Sequence, residues 1–190
     1  PESVSPLYLQ ALLGYEDRWF WQHPGVNPIA MLRAGAQMLR SRHIVSGGST
    51  LTMQVARIID PALRDGRSRS VGGKLRQVLR ALQLEAHLSK RQILTLYLER
   101  APFGGPIEGV EAASWAYLGK PAAQLSHAEA ALLAVLPQSP TRLRPDRNPE
   151  AAQRARDKVL DRMAALGIWS KPQADDARIE TVVSRRLRNP

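Results

Sequence analysis

Glu16 and Asp17 stand side by side, and Arg18, Trp19, Phe20, Trp21 and His23 follow before Pro24 and Gly25 break the pattern. Carboxyl groups set against bulky apolar walls lose hydration, which raises their pKa and suits a general acid or base. The residues alone leave a second reading open: an exposed Glu-Asp pair on an amphipathic helix with the aromatics in its core.

A second group lies at Gly47-Gly48-Ser49-Thr50. A glycine turn running into a helix start offers backbone N–H groups, hydroxyls and the positive dipole end to an anion. Gln54 and Arg57 fall at helical spacing from Thr50 and extend one polar stripe. An ordinary capped helix after a glycine turn has the same sequence. A third group is basic: Arg64, Arg67, Arg69, Lys74 and Arg76. Lys74 and Gln77 are one turn apart, and with Arg57 they could neutralise a diphosphate. The alternative is a solvated basic linker. Without interleaved aromatics or a recognition helix, nucleic acid is not the expected partner.

Charge and composition narrow the classes. Of 190 residues, 27 are Lys or Arg and 17 are Asp or Glu, a formal net charge of +10 that favours an anionic partner. There is no cysteine, which excludes a disulfide frame, a thiolate metal site and a thiol nucleophile. No two of His23, His43, His87 and His127 have ligand spacing on one helix, so no metal site is read from them. Nucleotide-binding fingerprints are absent, as is any run of 18 apolar residues. From Ile29 to Val45, Met31, Leu32, Met38, Leu39, Ile44 and Val45 mix with Arg33, Arg40, Arg42 and His43, a composition suited to a membrane interface. The opening at Pro1-Glu2 suggests a fragment whose anchor or signal lies upstream.

Helices must position these groups. Ser5-Pro6 starts one that reaches the Glu-Asp pair. Asn27-Pro28 opens a second. Ser49 caps a third, with Leu51, Val55 and Ile58 inward and Pro61 stopping it. A fourth is expected from Lys74 to about His87, with Leu75, Leu79 and Leu82 on its buried side. Ser89 and Gln92 make a capping box for the next, ending near Glu99. Another runs from Ile107 to Gly119, one capped by Ser126 and Glu129 stops at Pro137, and a long one runs from Asn148-Pro149 to Gly167. A short helix follows Lys171. The fold class is all-α, with Thr181-Val182-Val183 the only hint of alternation.

Taken in order, Glu16-Asp17-Arg18-Trp19-Phe20 with His23, then Gly47-Gly48-Ser49-Thr50-Leu51-Thr52-Met53-Gln54, then Lys74 through Tyr97 with Ile93-Leu94-Thr95-Leu96-Tyr97-Leu98, resemble the peptidoglycan glycosyltransferase domain of class A penicillin-binding proteins, glycosyltransferase family 51. Ala101-Pro102-Phe103-Gly104-Gly105, Ala112 to Lys120 and Leu143-Arg144-Pro145-Asp146-Arg147 look most like its 1C branch. The resemblance implies a lysozyme-like helical head lobe with a small membrane-facing jaw at about 24–45, within one domain of residues 1–190 whose end, 171–190, begins a linker or tail.

It also implies a reaction: polymerisation of lipid II into glycan strands, with inversion at C1 of MurNAc and release of undecaprenyl diphosphate. Glu16 takes the place of the catalytic base. Asp17, Arg18, His23, Ser49, Thr50, Gln54, Arg57, Lys74 and Gln77 take those of substrate-binding residues. Lipid II, the growing strand, the membrane surface and a moenomycin-like inhibitor are the implied partners. A C-terminal transpeptidase domain and a place at the periplasmic face of the inner membrane are implied as well. Two positions depart from the family. Gln77 replaces a second glutamate, which argues against an otherwise possible divalent cation such as Mg2+. Arg57 replaces a lysine, keeping the charge. Glu85, eight residues beyond Gln77, is ~12 Å along the helix and is no substitute. The residues also fit two other classes: a lysozyme-like lytic glycosidase, and a catalytically weak basic module that binds lipid.

Overall fold

The computed structural model describes residues 2–29, 32–33, 35–36, 49–63 and 70–184. Among these residues the regular structure is helical, with no strand and one isolated bridge between Pro102 and Glu108. The chain divides into two compact units, one formed by Pro1–Glu16 with Leu98–Pro190 and the other by Asp17–Tyr97.

In the first unit the central element is α6 (His127–Val135), numbered in chain order. Its Ala- and Leu-rich sequence buries every residue from Ala130 to Val135, and Ser126 and Glu129 close a reciprocal capping box at its start. Against it pack α1 (Pro6–Glu16), α7 (Pro149–Ala165) and α8 (Lys171–Ile179). α1 approaches α7 closely because residue 14 is glycine: a Cβ there would lie 2.6 Å from Met163 Cε. The buried Arg156 of α7 donates to the carbonyls of Arg178 and Glu180, taking up orphan acceptors where α8 ends.

The helix expected over Ile107–Gly119 starts later. α5 covers Val110–Ala113 and runs into a π-turn, Ser114–Leu118, closed by left-handed Gly119. Ile107 is held in a loop instead, exchanging backbone hydrogen bonds with Phe103 and Gly104. Gly109 then enters the helix at φ +85°, where a Cβ would meet the Glu99 carbonyl at 2.6 Å.

The second unit contains α2 (Leu51–Ile59), a 3-10 turn at Pro61–Leu63 and α3 (Val71–His87). α4 (Lys90–Arg100) begins here, with the Ser89–Gln92 capping box formed as expected, and its last residues belong to the first unit. Two sequence expectations are corrected. Thr50, not Ser49, caps α2. α3 starts at Val71 after Ser70, a turn earlier than Lys74, and faces the other way. Leu75, Leu79 and Leu82 are 60%, 54% and 40% exposed, while Gln77 and Ala81 are buried. The reason is space. α2 packs along this side, and Gly25, at φ +103°, lies so near that a Cβ would meet the Ala81 carbonyl at 3.0 Å. Only short or hydrogen-bonding side chains fit a backbone approach that close.

Residues 28–29, 32–33 and 35–36 are helical, with Ile29 and Leu32 exposed. The rest of the expected jaw, including Met31, Met38 to Val45, falls outside the described residues, as do Gly47, Gly48, Arg64, Arg67 and Arg69.

Candidate active site

Glu16 is the last residue of α1 and is half-buried. Gln138 Nε2 donates to its Oε1 at 2.8 Å, from the 3-10 turn Leu136–Gln138 that follows α6. The Tyr15 phenol beside it is pushed up by burial and then by the Glu16 charge, against the opposing effect of Gln138 and Arg162. The sequence reading missed Gln138, which is far from every chemical motif in the chain.

In the second unit, Asp17 anchors a buried polar chain. Its Oδ2 accepts from His23 Nε2 at 2.6 Å and from the Leu51 N–H at 2.8 Å. A carboxylate on the first N–H of α2 meets the positive end of the helix dipole. His23 Nδ1 accepts from the Gly25 N–H at 3.0 Å and faces Lys90 Nζ at 3.3 Å, an arrangement that assigns the ring proton to Nε2. Thr50 Oγ1 donates to the Gly25 carbonyl at 2.7 Å and accepts from the Met53 N–H. Thus Asp17, His23 and Thr50 lock the segment 17–25 onto the start of α2. Two of the helix N–H groups expected to receive an anion, those of Leu51 and Met53, are instead used within the protein.

The cationic part is built from side chains. Lys74 Nζ donates to Ser49 Oγ at 2.5 Å. Burial, then the nearby Arg57 charge, hold the Lys74 ammonium below the usual lysine range. Ser49, Arg57 and Lys74 therefore come together, with Gln54 buried on the same helix. Arg18 is exposed and lies over the Trp19 ring at 5.0 Å. Arg76, expected in the same basic cluster, turns away to Asp60 at 2.9 Å, which Arg80 also contacts at 3.1 Å.

Gln77, expected among the substrate-binding residues, is wholly buried, and its Nε2 donates to the Met53 carbonyl at 3.0 Å, bracing α3 against α2. Glu85 holds a separate post, accepting from Thr52 Oγ1 at 2.8 Å and Lys90 Nζ at 2.6 Å, with Lys90 over the Phe20 ring. This pair crosses the break between two helices, so helical periodicity carried no signal for it. Gln77 is neutral and turned inward, Asp17 is engaged by His23 and the Leu51 N–H, and no group of three His, Cys, Asp or Glu side chains suited to a metal occurs among the described residues.

The model of the transglycosylase family matches residues 1–164. The chain belongs to the transglycosylase family. It is 63% identical over 181 residues to penicillin-binding protein 1C of Escherichia coli, covering 95% of this chain and 23% of that protein. It is 42% identical over 160 residues to penicillin-binding protein 1A of Pseudomonas aeruginosa, covering 84% of this chain and 19% of the relative. A putative transglycosylase of Cupriavidus necator is 36% identical over 170 residues, 90% of this chain and 71% of that one. The crystal structure of penicillin-binding protein 1A from Haemophilus influenzae superposes with a TM-score of 0.50 at 33% identity, over 52% of this chain and 15% of the other, in keeping with the lysozyme-like helical fold. The chain spans about a quarter or less of the penicillin-binding proteins it matches.

Proposed function

We propose that this transglycosylase chain is a peptidoglycan glycosyltransferase that polymerises lipid II by inversion at MurNAc C1. In the proposed step, the 4-hydroxyl oxygen of the acceptor GlcNAc attacks C1 of the donor. The bond from C1 to the diphosphate oxygen breaks, its electron pair leaves with undecaprenyl diphosphate, and the hydroxyl proton passes to Glu16. A leaving diphosphate needs fixed positive charge, and Lys74 and Arg57, with the Ser49 hydroxyl, would supply it. Asp17, His23 and Thr50 would act by holding the start of α2 in place.

The observation that carries this reading is the Lys74–Ser49 contact at 2.5 Å with the Arg57 charge nearby: a partly desolvated ammonium on a hydroxyl, which suits a phosphate oxygen. Trp19, Trp21, Ile29 and Leu32 are all more than half exposed, which supports docking of the second unit on a lipid surface. The reading puts the reaction at the periplasmic face of the inner membrane, with a moenomycin-like phosphoglycolipid as inhibitor and a transpeptidase domain in the same polypeptide.

The test is polymerisation of labelled lipid II by the purified protein. Glycan strands should form and should disappear with Glu16→Gln. Release of fragments from preformed glycan, without polymer, would make the protein a lytic glycosidase instead.

A further inference from the structure

We propose that Gln138 is the positioning residue for the Glu16 carboxylate, fixing its orientation and favouring its ionised form through the 2.8 Å hydrogen bond from Nε2 to Oε1. The inference rests on Glu16 being the base.

The placement of the two residues supports this. Glu16 ends α1, so its carboxylate meets the negative end of that helix dipole, where an added donor offsets an unfavourable field. Gln138 ends the 3-10 turn that continues α6, the most buried helix of its unit. α1 packs on α6, and its Tyr8, Ala11 and Leu12 are wholly buried. The turn itself is held by Ser139 N to Leu136 O at 3.2 Å and Leu143 N to Ser139 O at 2.9 Å. An otherwise mobile side chain is thereby presented from a rigid base. A donor on one carboxylate oxygen restricts the side-chain rotation that would take the base out of line.

The surrounding groups give Gln138 a distinct part. From α1, Tyr8 and Tyr15 both feel the Glu16 charge, and the phenol of each is pushed up by burial first and Glu16 second. From α7, Arg162 faces Tyr15. The ionisable residues of α6 are engaged elsewhere: His127 stacks edge-on against Trp169, and Glu129 pairs with Lys120. Gln138 is a neutral donor that touches the carboxylate itself.

The experiment measures lipid II polymerisation by the purified protein from pH 5 to 9, for the parent, Gln138→Met, Gln138→Glu and Glu16→Gln. Losing a donor to the charged form raises a carboxyl pKa, and a like charge raises it more. Activity that needs the ionised base then fails at a higher pH on the acid side. Gln138→Met should lower turnover about tenfold to a hundredfold with KM nearly unchanged, as loss of alignment does. Its acid limb should move up by about half a pH unit or more, and that of Gln138→Glu further. Gln138 is exposed, and circular dichroism of each variant checks the fold. If Gln138→Met were unfolded, Gln138→Asn, which withdraws the amide by one methylene, should give the same shift. Folded variants with the parental acid limb would overturn the inference, as would a change confined to KM. An active Glu16→Gln would instead remove the base assignment itself.

Discussion

Gln77 and Met53 join α3 to α2, the Gln77 amide donating to the Met53 carbonyl at 3.0 Å with no solvent exposure. Gln77 Oε1 is buried without a partner, so the site accepts a neutral amide at some cost and would accept a charge much less readily. Gln77→Glu should therefore not restore a second catalytic carboxylate. It should destabilise the protein by ~3 kcal/mol at neutral pH, the scale for an uncompensated buried charge. A buried carboxyl has a raised pKa, so this loss should shrink as pH falls and the group protonates. Urea denaturation at pH 5 and pH 8 reads both effects. A variant as stable as the parent at both values, with faster polymerisation, would show that Gln77 reaches substrate.

The helix that carries Gln77 also marks where the sequence misled. Leu75, Leu79 and Leu82 recur at helical spacing, and such spacing normally points inward. They point outward because Gly25 and α2 leave room only for Gln77 and Ala81, and close approach of backbones has no periodic signal. Leu79→Ala should then cost under ~0.5 kcal/mol, as surface changes do, whereas Leu94→Ala, fully buried on α4, should cost ~2–5 kcal/mol. Comparable losses in thermal unfolding would put Leu79 back in a core.

Other features were legible because their chemistry is local. The Ser89–Gln92 and Ser126–Glu129 boxes close within one turn and formed as read. Thr50 took the cap in place of Ser49 because its hydroxyl is also needed by the Gly25 carbonyl, a long-range demand. Gln138 reaches Glu16 across 122 residues of chain, and no spacing rule could have joined them.

Asp17 and His23 should behave as one unit. Asp17 accepts from both His23 and the Leu51 N–H, so Asp17→Asn removes a charge-assisted bond and weakens the start of α2. A loss of ~1.5–3 kcal/mol is expected for a hydrogen bond to a charged buried group. His23→Ala should cost less in the Asp17→Asn background than alone, with a coupling of at least ~0.5 kcal/mol in a double-mutant cycle. Strict additivity would mean that the pair is not coupled.

Asp60 gives the second unit an acid-sensitive clamp. The Arg76 hydrogen bond, with help from Ala62 N and Arg80, holds its carboxyl at about 2, below its ordinary 3.8. A carboxylate depressed on folding stabilises above its unfolded value and loses that contribution as pH falls toward its folded one. Melting temperatures of the parent and Asp60→Asn should differ at pH 6 and converge between about pH 4 and pH 2. A constant gap across that range would remove Asp60 from the acid response.

Lys74 should impose the opposite limit on anion binding. Burial first, then Arg57, lower its pKa from 10.5, so its charge is lost at a lower pH than an ordinary lysine's. Pyrophosphate is a suitable probe of the proposed diphosphate contacts, with binding followed by calorimetry. Affinity should fall on the alkaline side as Lys74 deprotonates. Lys74→Arg should abolish that fall, because a guanidinium stays charged throughout the range. Arg57→Ala should weaken binding overall yet move the fall to higher pH, since the repulsion that lowers Lys74 is gone. Lys74→Ala should cost about tenfold or more, the scale of a charged hydrogen bond, while Arg154→Ala on the exposed face of α7 should change little. An alkaline limb that survives in Lys74→Arg would assign the titration to another group.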